Sequence, residues 1–292
     1  MIKNDTAITN AVTIDVEEWF DTILFAEEPA FASRKSGLPA NVSDILALLA
    51  GASVKATFFI LGSVARKYPD TVKAIAAAGH EVASHGGTHK AVFRMSPAEF
   101  KKDLADSRAD LERLSGQTPQ GYRAPTFSIL KNDSVHLSAI REAGYTYDSS
   151  LYPVFLSRRP AAPYSDACGL VEFPPSVFSL AGVKMPFLGG TFLRLLPLCF
   201  TTARLAALNA RSLPGMLYFH SWEFEKARPA GAGLTAAAGQ FLNSASVPRK
   251  VAALLRDFSF APARLALELY DRSGAKPGKA AGGSPAPGRS GQ

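Results

Sequence analysis

With 292 residues, 47% apolar and 20% charged, the chain is long enough to bury a full core and is excluded from the disordered and fibrous classes. A net charge of +7 and a pI near 9.4 raise nucleic acid as a partner, but the cations are scattered, with small pairs only at Arg158-Arg159 and Arg249-Lys250; no nucleic-acid partner is expected, and a mildly cationic surface suits an anionic polysaccharide or a membrane face equally. Cys168 and Cys199 form neither a disulfide framework nor a thiolate metal site and read as buried small hydrophobes in a reducing compartment, while the lack of a signal peptide or of an apolar run of about 18 residues makes a cytoplasmic location the expectation.

In chain order, residues 10–16 (NAVTIDV) are a β-branched run ending in carboxylates, as a buried strand does when it delivers polar groups to one end of a sheet. Helical spacing of Val42, Ile45, Leu46 and Leu49 follows, then a second apolar strand over 55–61. Pro69 opens a helix that Gly79 stops, and His80–Ser84 is a third, short strand. Ser96-Pro97-Ala98-Glu99 is a capping box for a long helix whose apolar side carries Phe100, Leu104, Leu111 and Leu114. A fourth strand over 121–124 ends at Pro125; helix fits 133–143 and strand 145–147.

The stretch 149–200 is irregular and rich in proline and glycine, with strands expected at 170–173 and 176–180. A helix over 202–211, a strand over 214–220 and helices over 247–257 and 261–270 complete the ordered part. Residues 273–292 lack any large apolar side chain and predict a disordered tail. Strands alternating with helices imply a parallel α/β sheet, either barrel or doubly wound. Asp15, His85, Arg123 and His220 each fall at or just past the end of a predicted strand, where barrel enzymes assemble their sites.

His85 and His89 are four residues apart, a spacing that on a helix puts both imidazoles on one face and suits zinc. The cluster Asp15-Val16-Glu17-Glu18 can supply one carboxylate to a two-His-one-carboxylate metal site and another as a base, and alternation turns Asp15 and Glu17 to the same side. Arg123, flanked by Tyr122 and Ala-Pro, needs a carboxylate partner if buried, and orienting Asp15 would give it one. His220 is either a satisfied core histidine or a proton donor, with Trp222 and Glu223 available to wall and orient it. Asp148-Ser149-Ser150, Gly189-Gly190-Thr191 and Arg194 are weaker candidates, Arg194 for an anionic sugar; His80 and His136 read as packing or surface residues.

Taken in order, TIDVEE, TFFILG, HEVASHGGTH, YRAPTFS, YDSS and YFHSWEF resemble the polysaccharide deacetylases of the NodB-homology (carbohydrate esterase 4) family, over residues 12 to about 225. The segments EFPPS, GGTFLRLLP and HSWE are similar to the exosortase-associated exopolysaccharide-locus branch. The resemblance implies a distorted (β/α)7 barrel over residues 1–272, with a C-terminal helical extension from about 226. It also implies zinc or another divalent ion such as Co2+, and hydrolysis of N-acetyl groups on an amino-sugar polymer; the positive charge is consistent with peripheral association to membrane-bound glycan synthesis. Carried over by position, Asp15 is the expected general base, Arg123 its orienting residue, His220 the general acid and His85 and His89 metal ligands. The family's second aspartate is Val16 here, so the carboxylate ligand falls to Glu17 or Glu18, and Ser221 stands where proline is usual.

Overall fold

Strand β1 (Thr9–Val16) is buried along nearly its whole length, the pattern of a strand covered on both faces, in a computed structural model that describes residues 8–21, 37–130, 133–225 and 240–274. Its alternation sorts two environments. Val12, Ile14 and Val16 pack outward against helices, whereas Ala11, with Phe59, Tyr147 and Met216, belongs to an inner cluster.

Helix α1 (Leu38–Gly51) buries Leu38, Val42, Ile45 and Leu49 and leads to β2 (Thr57–Ile60). Two short helices, α2 (Gly62–Lys67) and α3 (Pro69–Ala77), precede β3 (Glu81–Ser84). The capping box forms as the sequence predicts: Ser96 and Glu99 cap α4 (Pro97–Ser115), and Gly116 ends it in the left-handed region, φ 69°. Strand β4 is only Gly121–Tyr122, so Arg123 lies just beyond it. Asp133 caps α5 (Ser134–Glu142), and β5 is Tyr147–Asp148.

The stretch expected to be irregular holds more structure than its composition suggests. It contains β6 (Tyr164–Ser165), β7 (Val171–Glu172), a hairpin of β8 (Val177–Leu180) and β9 (Val183–Pro186), α6 (Gly190–Leu195) and α7 (Leu198–Asn209). Strand β10 (Met216–His220), helix α8 (Val247–Asp257), strand β11 (Ser259–Ala261) and helix α9 (Ala263–Arg272) follow.

Among the described residues, seven strands in the order β10-β1-β2-β3-β4-β5-β7 pair in parallel, with β6 antiparallel at the edge and β11 joining β1. The sheet curls into the expected (β/α)7 barrel without closing by a ladder. Between β7 and β10 the link is a side chain, the Ser176 hydroxyl accepting from the Met216 amide at 2.7 Å. Helix α9 closes the end opposite the strand C-termini: Ala263 and Ala266 pack on the inner cluster, and the Ala263 amide donates to Thr57 Oγ1 at 2.7 Å. The extension after residue 240 is therefore built into the sheet through β11.

One expectation is corrected. Cys168 is half-buried in the turn after β6, and Cys199 is exposed in the first turn of α7. The proposed tail falls almost wholly on 275–292, outside the described residues. His80 is a packing residue, its Nδ1 accepting from the Ala56 amide at 3.1 Å beneath the edge of Phe58.

Asp148 and Glu172 are register partners on β5 and β7, and both are fully buried. One oxygen of each is bonded, Asp148 Oδ1 by Ser150 and Glu172 Oε1 by the Leu151 amide, while Asp148 Oδ2 and Glu172 Oε2 have no donor. Burial pushes Asp148 to about 6 and Glu172, which also faces the Asp148 charge, well above the ordinary carboxyl range. The folded state thus retains protons that the unfolded chain releases near pH 4. Stability contributed here is greatest at acid pH and falls as pH rises from about 4 through 6. Urea unfolding from pH 5 to pH 8 should show that decline, and Glu172→Gln should flatten it; equal slopes would remove the pair as its source.

Candidate metal and acid–base site

The four stretches singled out in the sequence converge at the C-terminal ends of the strands. Asp15, Glu17, His85, His89 and His220 line one cavity of about 220 Å³, whose mouth includes Phe127, Thr191, Arg194 and Trp222. Alternation is the cause for two of them. Across the β1–β10 ladder Thr13 faces Tyr218 and Asp15 faces His220, so these side chains turn into the barrel while Ile14 and Phe219 turn out.

His85 and His89 do not lie on a helix. The chain leaves β3 and reverses at Gly86, φ +84°, a conformation that suits glycine. Helix α2 pins the turn by donating the Gly62 and Ser63 amides to the Gly86 and Gly87 carbonyls, both at 2.8 Å, and Asp103 of α4 accepts from the Gly87 amide at 2.8 Å. A Cβ at Gly87 would meet Asp103 at 2.5 Å. The turn, rather than a 3.6-residue period, brings the two imidazoles together.

Glu17 Oε2 lies 3.5 Å from His85 Nε2 and 2.9 Å from His89 Nε2, and one ligand atom from each of the three residues falls within 4.8 Å of the others. Among the described residues this is the one such group of three or more. His85 Nδ1 sits 2.8 Å from the Arg123 carbonyl. A carbonyl only accepts, so Nδ1 carries the proton and the Nε2 lone pair faces Glu17. Glu17 Oε2 and His89 Nδ1 are buried without a hydrogen-bond donor or partner. Two imidazole nitrogens and a carboxylate oxygen converging on one point, with an orphaned oxygen among them, fit a borderline divalent cation. Burial alone would raise the Glu17 carboxyl, but the positive charges of the neighbouring His89 and His220 hold it well below its ordinary value. Glu18 turns elsewhere, accepting from Tyr68 Oη at 3.0 Å.

Arg123 is wholly buried and makes the contact expected of it, Nη1 to Asp15 Oδ1 at 2.6 Å. Thr13 Oγ1 and Ser149 Oγ accept at 3.1 and 3.0 Å, and the guanidinium lies 4.1 Å from the Phe59 ring centroid. Ser149, a weak candidate from sequence, therefore supports this pair. His220 Nε2 stands 3.9 Å from Glu17 Oε1, and its Nδ1 is 3.4 Å from Glu223 Oε2. Although burial opposes the charged form, the Glu223 hydrogen bond and the Glu17 and Glu223 charges raise His220 to about 9. Trp222 stacks on the imidazole at 5.0 Å and 15°. Arg194 lies behind the indole, 5.3 Å from it, with Nε 3.3 Å from Glu223 Oε1, and it lines the cavity with Nε and Nη1 making no hydrogen bond.

Two contacts have no counterpart in the sequence reading. Ser221 Oγ donates to the Glu17 carbonyl at 2.8 Å and accepts from the Glu17 amide at 3.3 Å, and Trp222 Nε1 donates to Glu17 Oε1 at 3.1 Å. The departure from proline at 221 was the available signal, since only a hydroxyl can grip both backbone groups.

Residues 29–147 match the polysaccharide deacetylase family profile, and residues 149–268 match a second, a domain of unknown function, DUF3473. The chain carries a polysaccharide deacetylase domain over residues 29–147. Its second match covers the segments that carry the resemblance to the exopolysaccharide-locus branch. Similar relatives include the peptidoglycan-N-acetylglucosamine deacetylase of Bacillus cereus, 38% identical over 80 residues, covering 27% of this chain and 29% of the relative. The chitooligosaccharide deacetylase of Bradyrhizobium sp. is 35% identical, covering 35% and 46%. The peptidoglycan deacetylase of Helicobacter pylori is 31% identical, covering 51% of each. The alignments span from 19% to 51% of the lengths of the curated relatives. Among solved structures, a Mycobacterium smegmatis protein assigned as a polysaccharide deacetylase shares the fold with a TM-score of 0.66 at 23% identity, over 98% of this chain and 97% of that one. The peptidoglycan deacetylase PdaC of Bacillus subtilis shares it at 0.52 and 16% identity, over 94% and 96%.

Proposed function

We propose that this protein is a divalent-metal-dependent hydrolase that removes acetyl groups from N-acetylated amino sugars of an exopolysaccharide or its precursor. The observation that carries the reading is the convergence of Glu17, His85 and His89 beside a buried Asp15–Arg123 pair and His220. Its relatives are named as deacetylases of peptidoglycan and chitooligosaccharide, which supports an N-acetylated glycan as the substrate class.

Glu17, His85 and His89 would hold the cation, zinc or a relative such as Co2+. When bound, it supplies Lewis acidity to the amide carbonyl and lowers the pKa of water. Asp15, aimed by Arg123, takes the proton of the attacking water. His220, kept as imidazolium by Glu223 and Glu17, gives its proton to the departing amine, so acetate and a free amino sugar leave. Phe127, Tyr152 and Tyr218 pack against one another with centroids 4.8 to 6.2 Å apart, giving an apolar wall suited to a sugar face.

Metal analysis coupled to an acetate-release assay on N-acetylated oligosaccharides tests the whole reading. Stoichiometric divalent ion and acetate release are expected. Release of formate from formylated amino sugars, with none of acetate, would replace the substrate class; sugar binding without hydrolysis would make the protein a carbohydrate-binding module.

Ser221 gives a narrower test. Because its hydroxyl fixes the backbone of a proposed ligand that lies beyond the end of β1, Ser221→Ala should weaken divalent-ion affinity about tenfold or more, with little change in melting temperature of the metal-free protein. Competition with a chromophoric chelator reads the affinity directly. Unchanged affinity would leave Ser221 as packing only.

A further inference from the structure

The hairpin β8–β9 leaves an apolar surface for which nothing in the proposed reaction has a use. Leu180 and Val183 pair across its tip and are 65% and 36% exposed, and Met185, 38% exposed, pairs with Phe178 on the same face. The chain just after Tyr152 adds a third strand segment. Phe155 and Lys184 exchange backbone hydrogen bonds at 2.7 and 2.9 Å, and Phe155 and Leu156 are 68% and 78% exposed. Phe155 bridges to the ribbon in a left-handed conformation, φ +55°, so the exposed apolar side chains run over three adjoining segments of one tip. A medium into which the tip sinks can cover all three together.

Charge selects that medium. Between Phe173 and Trp222 the sequence contains no aspartate or glutamate, while Lys184, Arg194, Arg204 and Arg211 fall within it. The exposed Arg204 lies 5.3 Å from the Phe178 ring of the ribbon, and the exposed Arg158 follows Leu156. Lys184 is turned inward, donating to the Ser157 and Arg159 carbonyls. An apolar wedge rimmed by unopposed cations matches the interface of an anionic bilayer, where side chains such as Leu and Phe enter the acyl boundary and Arg meets headgroups. Among the described residues no helix is long and apolar enough to cross a membrane, so attachment would be peripheral. A second copy of this chain is a poor occupant, since each copy carries +7 overall.

We infer that the β8–β9 hairpin with Phe155 and Leu156 is a docking wedge for an anionic lipid surface. Tyr152, whose hydroxyl is 3.4 Å from that of Tyr218, links this wedge to the aromatic wall of the cavity, so docking brings the cavity mouth close to the headgroups.

The test is co-sedimentation of the full chain with vesicles of phosphatidylcholine alone and of phosphatidylcholine with an equal part of phosphatidylglycerol. Binding is expected only to the second, and is expected to weaken as salt rises to about 0.5 M. Leu180→Asp with Phe155→Ser should abolish it, and Arg158→Gln or Arg204→Gln should each weaken it about fivefold. All four substitutions lie outside the metal and acid–base residues, so acetate release from a soluble oligosaccharide should be unchanged. Because vesicle binding is read without turnover, it stands or falls separately from the deacetylase proposal. Absence of binding to the anionic vesicles, or equal binding by the Leu180→Asp, Phe155→Ser variant, overturns it. So does a dimer in sedimentation that the same variant dissociates, which would make the wedge an interface between copies.

Discussion

His85→Ala is expected to abolish stoichiometric metal binding and lower deacetylation on the order of 10³-fold, the scale of losing charge stabilisation at a reacting carbonyl. The size of the effect follows from the donor set. Glu17 and His89 alone leave two ligands for a cation that needs three protein donors in a catalytic site, and the lost imidazole is the one whose tautomer is fixed by the Arg123 carbonyl at 2.8 Å. His220→Ala is the control: it should retain the metal while losing turnover, because its nearest approach to the cluster is 3.9 Å, from Nε2 to Glu17 Oε1. Elemental analysis and acetate release on the same preparations separate the two. Full metal content and full activity in His85→Ala would remove His85 from the ligand set.

Arg123→Met is expected to destabilise the fold by about 3–5 kcal/mol and to remove activity. The guanidinium is fully buried, and deleting it leaves the Asp15 carboxylate, 2% exposed, without its partner at 2.6 Å; an uncompensated buried charge carries a penalty of that order. Pairing Arg123→Met with Asp15→Leu should recover much of the stability, since two apolar side chains of similar volume replace both charges, but should recover no turnover. Arg123→Lys should not restore activity either, because an ammonium cannot reach Asp15, Thr13 and Ser149 together as the guanidinium fork does. Urea titration alongside the activity assay reads both. If the double substitution restored turnover, Asp15 would not be the base.

Much of this arrangement was readable from the chain, and the exceptions have physical causes. β1 (TNAVTIDV) and β10 (MLYFH) carry apolar side chains up to a polar residue at their C-terminal ends, so Asp15 and His220 could be placed at strand ends before any coordinates. The Asp15–Arg123 pair was foreseeable because a guanidinium beside Ala-Pro has little access to water. The site of His85 and His89 was legible but its geometry was not: equal spacing on a helix and across a glycine reversal looks the same in sequence, and the amides of α2 decide between them. The choice of Glu17 over Glu18 turns on where the chain leaves β1, which the contact with Tyr68 fixes. The grip of Ser221 and Trp222 on Glu17 spans over 200 positions, and the serine at 221 was its one trace in the sequence. β6, β9 and β11 were missed because runs of two to four residues are too short to carry a periodic signal.

The pairing of β1 with β10 and β11 carries a temporal consequence. The strand that bears Asp15 and leads into Glu17 precedes the other strands in the chain, yet two of its ladder partners, Met216–His220 and Ser259–Ala261, arrive some two hundred residues later. Contacts of such sequence separation form slowly, so the acidic motif, paired early with β2 alone, lacks its other ladder neighbours until residues 216–261 have been made. Fragments stopping short of β11 should therefore accumulate as inactive, aggregation-prone species rather than as a smaller working enzyme.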